Sequence, residues 1–319
     1  MSAAEMKVLL HYAPGPAWQR ELATLDRHGL EVDSCDETDD ARFYRLLPKA
    51  EVLWHLLRPL SADDIARANS LRLIQKIGVG VNTIDLEAAK ARDIRVCNMP
   101  GTNSRAVAEM ALLLMLACLR RLPFLDRTTR EGRGWKLDSS LQDSYGELAG
   151  KTVGLVGFGA VAQMLAPILK SMAARVIYTD LKPSPELPHA FRELPQLLRE
   201  ADIVSLHVPL TSTTGNVIDR QRLAMMRPGA ILINTARGGL VEQAALVDAL
   251  KSGHLGAAGL DVFATEPVPA DEALLRLDNV VVAPHLSWLT TGTLDRSLKV
   301  AVENSRRLQA GEPLLHRVV

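Results

Sequence analysis

Residues 152–180 constrain the fold more tightly than any other stretch. An apolar run at 152–156 empties into Gly157-Phe158-Gly159-Ala160-Val161-Ala162. A helical pattern follows at 161–172, and a second apolar run at 175–179 ends in Asp180. A strand that turns through glycines into a helix and returns as a strand is a βαβ unit, and its two strands must be parallel and buried on both faces. Gly157 permits the tight turn, Gly159 lets another group approach the backbone, and Ala162 keeps the helix close to the sheet. Unpaired N–H groups at the helix start then face the space beyond the strand, which suits a diphosphate. Asp180 lies 23 residues beyond Gly157, the spacing of a carboxylate that accepts the ribose hydroxyls of a dinucleotide. A carboxylate there repels a 2′-phosphate and favours NAD; Lys182 nearby keeps NADP open.

The alternation extends to both sides. Apolar runs at 6–11, 30–33, 51–55, 71–77 and 94–98 are separated by helical patterns at 18–28, 42–47, 63–69 and 85–91. Beyond the glycine turn, strands are expected at 202–207, 230–234, 257–262 and 280–283, with helices at 194–199, 220–226 and 241–251. Such alternation predicts parallel sheets covered by helices on both faces. Asn98-Met99-Pro100-Gly101 breaks the first series, and a last helix at 291–308 is long enough to return to it. The expected fold is α/β with two doubly wound parallel-sheet domains. A Rossmann-type cofactor domain, 100–288, is inserted into a flavodoxin-like substrate domain, 1–99 completed by 289–319. The 319 residues suit about two domains. Residues 104–121 read as one helix, apolar around most of its circumference and therefore buried on several sides. Residues 122–146 read as a more polar excursion carrying Trp135, packed on the same chain or on a partner subunit.

With Lys+Arg and Asp+Glu both at 37, the chain has no net charge and gives no electrostatic reason to expect nucleic acid or an anionic membrane as partner. Cys35, Cys97 and Cys118 lack metal-ligand spacing, which fits ordinary thiols in a reducing compartment. The first residues do not read as a signal peptide, and the longest apolar run is too short to span a bilayer, so a cytoplasmic protein is expected.

Three polar residues punctuate the second half. Arg237 follows the run at 230–233 in Asn234-Thr235-Ala236-Arg237-Gly238-Gly239. Glu266 follows the strand at 257–262, and His285 follows that at 280–283. In an open parallel sheet, ligands sit beyond the carboxyl ends of the strands. Reduction of a ketone by hydride needs a proton donor for the new alkoxide and a cation for the carbonyl and an adjacent carboxylate. His285 suits the first role, with Glu266 orienting its ring. Arg237 suits the second, with a planar fork that holds carboxylates. His207 follows its own strand and reads as a wall of the nucleotide pocket. His11, His28, His55, His189, His254 and His316 have no sequence neighbours that suggest chemistry. Arg58, after the strand at 51–55, is a candidate for a second anionic group of the substrate.

With these residues in view, the chain resembles the D-isomer-specific 2-hydroxyacid dehydrogenases. The likeness runs through KIGVGVNTID at 76–85, NMPGTNSRAVAE at 98–109, the glycine turn, SLHVPLT at 205–211, MRPGAILINTARGGLVE at 226–242, GLDVFATEP at 259–267 and Pro284-His285. The resemblance implies that Arg237, Glu266 and His285 form the catalytic set, with His285 as acid/base. It implies that Asp261 contacts the nicotinamide carboxamide and that backbone amides near Val79 and Gly80 hold the substrate carboxylate. Cofactor contacts are expected from Gly157, Gly159, Ala160, Val161, Asp180, His207, Val208, Pro209, Thr213, Thr235, Ala236, Arg237, Asp261 and His285. The family architecture puts the active site in a cleft and builds a homodimer on the cofactor domain. Asn82 stands where the family often has Asp, and Ala162 replaces the third glycine. Val79 stands where phosphite dehydrogenases carry lysine, which argues against phosphite. The implied reaction interconverts a small 2-keto acid and a D-2-hydroxy acid with NAD, hydroxypyruvate or glyoxylate being the leading substrates. A different class also fits: a scaffold of the co-repressor type that senses NADH and turns over incidentally.

Overall fold

The computed structural model describes residues 5–319 except 137, 185, 187 and 188, together with all their side chains save those of 140, 142 and 143. Residue 137, part of the expected excursion, therefore lies outside the description. Contacts divide the chain into Met1–Asn103 with Leu289–Val319, and Ser104–Trp288.

The first unit holds β1 (Met6–His11), β2 (Leu30–Cys35), β3 (Val52–His55), β4 (Leu73–Lys76) and β5 (Arg95–Cys97). All pairings are parallel, in the order β2-β1-β3-β4-β5, the flavodoxin-like order. Its helices are α1 (Pro16–Leu22), α2 (Asp40–Leu46), α3 (Ala62–Arg67) and α4 (Leu86–Ala91). Asp39, Ser61 and Asp85 cap the last three through their side chains, Ser61 in a reciprocal capping box with Asp64. The helix expected over 18–28 is broken: α1 stops at Leu22, and a 3₁₀ turn, Leu25–His28, ends on Gly29 at φ +70°. Phe43, Leu53, Ile65 and Ile74 share one core of the unit. The helix Thr291–Ala310 packs with this sheet. Its Asn304 donates to Gln75 Oε1 (2.6 Å), and Ser305 Oγ accepts from Trp54 Nε1 (3.4 Å).

The second unit is a seven-stranded parallel sheet of β6 (Thr152–Val156), β7 (Arg175–Thr179), β8 (Ala190–Phe191), β9 (Ile203–Leu206), β10 (Ala230–Asn234), β11 (Leu255–Leu260) and β12 (Val280–Val282). Its order, β12-β11-β10-β9-β6-β7-β8, is the doubly wound order with one strand added. Around it stand α5 (Ser104–Leu119), α6 (Leu122–Arg130), α7 (Ala160–Ser171), α8 (Leu194–Glu200), α9 (Arg220–Met225) and α10 (Gln243–Lys251). Alternate strand residues feed two cores. Val153, Leu155, Ile203, Ile231 and Ile233 join α5 and α7 on one face, while Val156, Val204, Leu206 and Leu232 pack with α8, α9 and α10 on the other. Burial on both faces explains why these strands read as continuous apolar runs.

Three further details, in the second unit, differ from the sequence reading. The excursion opens with a helix, α6, whose Arg127 pairs with Asp278 (2.9 Å) on the same chain. Strand β11 begins two residues early, at Leu255, because Gly256 lets its backbone lie against Gly229, where a Cβ would stand 2.6 Å from the carbonyl oxygen. The two-residue β8 was too short to show a period. Among the described residues no helix is long and apolar enough to cross a membrane. The three cysteines are buried, and burial pushes the thiols of Cys97 and Cys118 up to about 11 and about 12.

Candidate active site

The glycine turn joins β6 to α7. Gly157 sits at φ +89°, and a Cβ there would lie 2.9 Å from the carbonyl carbon and oxygen of His207, so only glycine fits. Gly159 is the N-cap of α7. A Cβ at Gly159 would meet nothing within 4 Å, and no side chain caps the helix. The amides of Ala160 and Val161 therefore open onto free space, as a diphosphate requires. Asp180, just past β7, accepts from Phe158 N–H through Oδ2 (2.8 Å) and from Leu181 N–H through Oδ1 (2.7 Å). These residues fit an NAD: open amides for the diphosphate and a fixed carboxylate for the ribose.

Beside the turn, His207 and Val208 are half-buried. Burial lowers His207 to about 4, and its Nε2 has no hydrogen-bond partner among the described residues, so the ring is neutral at physiological pH. Pro209 accepts from Thr214 Oγ1 (2.6 Å), and Thr213 shares a hydroxyl contact with Thr211 (3.1 Å) on the same exposed loop.

Arg237, Glu266 and His285 come off three consecutive neighbours in the sheet, β10, β11 and β12, at their carboxyl ends. The Asn234 side chain shapes the first loop: its Oδ1 accepts from Ala236 N–H (3.0 Å) and its Nδ2 donates to Arg237 O (2.9 Å). Arg237 is half-buried and donates through Nη1 to Ala236 O (2.7 Å). Burial lowers its pKa while Glu266 opposes that; a guanidinium stays charged regardless. Glu266 stands six residues past β11. Its Oε1 accepts from Phe263 N–H (2.8 Å), and its Oε2 lies 2.6 Å from His285 Nδ1. Burial works against ionising Glu266, but the His285 hydrogen bond and charge, the Phe263 amide and Arg237 together hold it below the usual carboxylate range.

His285 adopts φ +56°, a left-handed conformation uncommon outside glycine. Asp261 holds it there. Its carbonyl accepts from His285 N–H (2.8 Å), and its fully buried carboxylate accepts from Leu286 N–H (2.9 Å) and Ser287 N–H (3.0 Å). Trp288 Nε1 donates to His285 O (3.0 Å). Sequence marked Asp261 for the carboxamide; what the structure shows it doing is gripping the histidine loop. Thr235 is buried with its hydroxyl unpartnered among the described residues, next to half-buried Ala236.

Two residues were missed. Gly238 packs so closely on the 263–264 backbone that a Cβ would stand 1.9 Å from Phe263 C and O. Gln243 accepts from Ala264 N–H through Oε1 (2.9 Å) and donates to Glu272 (2.8 Å), steadying the same loop. Only the GG pair in ARGGLVEQ hinted at the first, and nothing local signalled the second.

In the first unit, the amides of Val79 and Gly80 donate to no other described residue, and Asn98 Nδ2 holds Val79 O (2.9 Å). Arg58 is already engaged: its Nη2 pairs with Asp40 (2.8 Å), and its guanidinium carbon lies 5.0 Å from the Phe43 ring centroid. Among the described residues no group of three or more His, Cys, Asp or Glu side chains could hold a metal.

Residues 112–287 match the family model described as D-isomer specific 2-hydroxyacid dehydrogenase, NAD binding domain. D-3-phosphoglycerate dehydrogenase of Mycobacterium tuberculosis is 40% identical over 290 residues, covering 89% of this chain and 54% of that protein, so the chain spans about half its length. Hydroxypyruvate reductase of Thermotoga maritima is 38% identical over 284 residues, 88% of this chain and 90% of that one. A solved protein from Thermus thermophilus superposes with a TM-score of 0.88 at 39% identity, covering 98% of this chain and all (100%) of that chain.

Proposed function

Because this chain belongs to the D-isomer specific 2-hydroxyacid dehydrogenases, we propose that it reduces a small 2-keto acid to the D-2-hydroxy acid, with hydroxypyruvate or glyoxylate as substrate. The observation that carries this reading is the 2.6 Å Glu266–His285 pair, with Arg237 on the next strand, at the edge of the sheet that carries the NAD turn. NADH supplies the hydride. His285 gives the proton to the alkoxide that forms, and Glu266 fixes its ring through Nδ1, leaving Nε2 for the substrate. Arg237 holds the carboxylate and polarises the carbonyl beside it. Hydroxypyruvate is favoured by the Thermotoga relative, which matches over nearly its whole length. With Arg58 paired to Asp40, a second anionic group on the substrate has no evident claim on it.

The protein, NADH and a panel of 2-keto acids, followed by cofactor absorbance, test this. Hydroxypyruvate or glyoxylate is expected to oxidise NADH, and His285→Ala to abolish the change while still binding NADH. A wild-type protein that leaves every keto acid untouched would overturn the proposal and favour the NADH-sensing scaffold.

The cofactor unit is further proposed to pair with a second copy. A cavity of about 600 Å³, lined in part by Cys118, Arg121, Pro123, Tyr145 and Asp278, supports this, as do exposed Leu113, Leu122 and Trp135. Light scattering that finds only monomer at micromolar concentration would refute it.

A further inference from the structure

Tyr178, on β7, is 1% exposed and lies against Phe158 of the glycine turn (ring centroids 4.7 Å apart) and Phe191 of β8 (5.6 Å). Its hydroxyl is spent on one backbone residue. It accepts from Ser184 N–H (2.9 Å) and donates to Ser184 O (3.2 Å). A phenol has a single proton to donate, so this residue takes it together with a lone pair. The chain between is thereby folded back onto β7. At the neck of that fold stands Asp180, each of whose carboxylate oxygens accepts a backbone amide, from Phe158 and from Leu181. Leu181 and Lys182 stand exposed on the folded segment.

NADP differs from NAD by one phosphate on the ribose 2′-oxygen. With Asp180 in place, that phosphate meets a carboxylate pinned by two amides. Like charges at such range repel strongly. Admitting it requires the carboxylate to retreat and a cation to approach. Lys182, two residues on, is the nearest cation in sequence, and bringing it in requires the 180–184 segment to take another course.

We propose that Tyr178 is a positioning residue for dinucleotide choice: its hydroxyl, by clamping Ser184, locks the segment after Asp180 in the course that excludes a 2′-phosphate. This rests on the dinucleotide reading of the sheet edge and adds a determinant beyond the carboxylate itself.

Tyr178→Phe keeps the ring stack and removes both bonds to Ser184. Fluorescence titration with NADH and with NADPH, without any keto acid, reads the effect. The ratio of the two dissociation constants, NADPH over NADH, is expected to fall about five- to tenfold, the worth of a net hydrogen bond or two. Adding Lys182→Ala to Tyr178→Phe is expected to restore much of the ratio by removing the incoming cation. A ratio in Tyr178→Phe within about twofold of wild type would overturn the proposal. So would equal weakening of both cofactors, since that is the mark of a packing role alone. Adenosine 2′-phosphate against adenosine as competitors of NADH gives a second reading that needs no full-length NADPH. Failure of the keto-acid reading would show as absent turnover, and failure of the clamp as an unmoved ratio.

Discussion

Gly238→Ala is expected to disable the site while leaving the cofactor edge intact. At Gly238 the ideal Cβ falls 1.9 Å from both the carbonyl carbon and oxygen of Phe263, and 2.5 Å from Ala264 N. Ordinary carbon contacts begin near ~3.5 Å, so the two backbones must part by about 1.5 Å. Both are main chain, and neither can turn aside as a side chain does. One loop carries Arg237, and the other carries the Phe263 amide that Glu266 accepts. Parting them moves the guanidinium away from the Glu266–His285 pair. A displacement of about 1 Å can cost about 10²-fold in rate, so kcat/KM for the keto acid is expected to fall by about that factor or more. Overpacking of this kind also costs about 1–3 kcal/mol of stability. Gly239→Ala is the matched control: its Cβ would meet Leu210 Cδ2 at 3.1 Å, a side-chain tip that can rotate, and activity should stay within about threefold. Steady-state kinetics by NADH absorbance, with NADH binding followed by fluorescence, distinguish the two. A folded Gly238→Ala variant with wild-type kcat/KM would refute the inference that close approach of these loops sets the geometry.

Glu266→Gln keeps the shape but removes the charge that fixes the His285 ring, so kcat for reduction should fall about 10²-fold; a kcat within about threefold of wild type would count against the pairing. Asp261→Asn turns a carboxamide NH2 toward one of the two backbone N–H groups from which the carboxylate now accepts. It should cost about 1–3 kcal/mol in denaturant midpoint and slow turnover, and neither change would mean that the histidine loop is held some other way. Burial depresses His11 to about 4 and His55 well below its ordinary value, so both are neutral in the folded chain and take up protons on unfolding. The contribution of His11 is complete above the unfolded value of 6.5 and is lost as pH falls toward about 4, accounting for about 3 kcal/mol, and His55 acts in the same direction. Urea midpoints should therefore drop across that window and drop less in His11→Phe; equal slopes would refute it.

Both sheets were legible in the sequence because a parallel strand is buried on both faces and so reads as an unbroken apolar run. The glycine turn was legible because its requirements are local: Gly157 must take a positive φ, and Gly159 must leave its amide face open. That Arg237, Glu266 and His285 would meet at one edge was legible because each follows a strand, and carboxyl ends in a parallel sheet share one edge. What stayed hidden depends on contact between segments far apart in the chain. Gly256 beside Gly229 shifted the start of β11, and Gln243 reaches Ala264 across 21 residues. Asp261 was visible as an acid near the site, but that it accepts from three residues' worth of the histidine loop, through its carbonyl and both carboxylate oxygens, is a fact of packing.

The same division runs through the site's physics. The residues proposed to do chemistry are polar or charged and sit past strand ends, where their type is informative. Residues that hold them in place are ordinary, and only their distances reveal them. His285 shows the consequence: a non-glycine residue at φ +56° persists because surrounding bonds over-determine it. Asp261 supplies three of those bonds and Trp288 a fourth, and none of the four involves the imidazole. The ring is thus left to Glu266, which meets it at Nδ1. In the proposed reaction His285 gains by this separation, since the backbone carries the strain and the ring is spared for the proton.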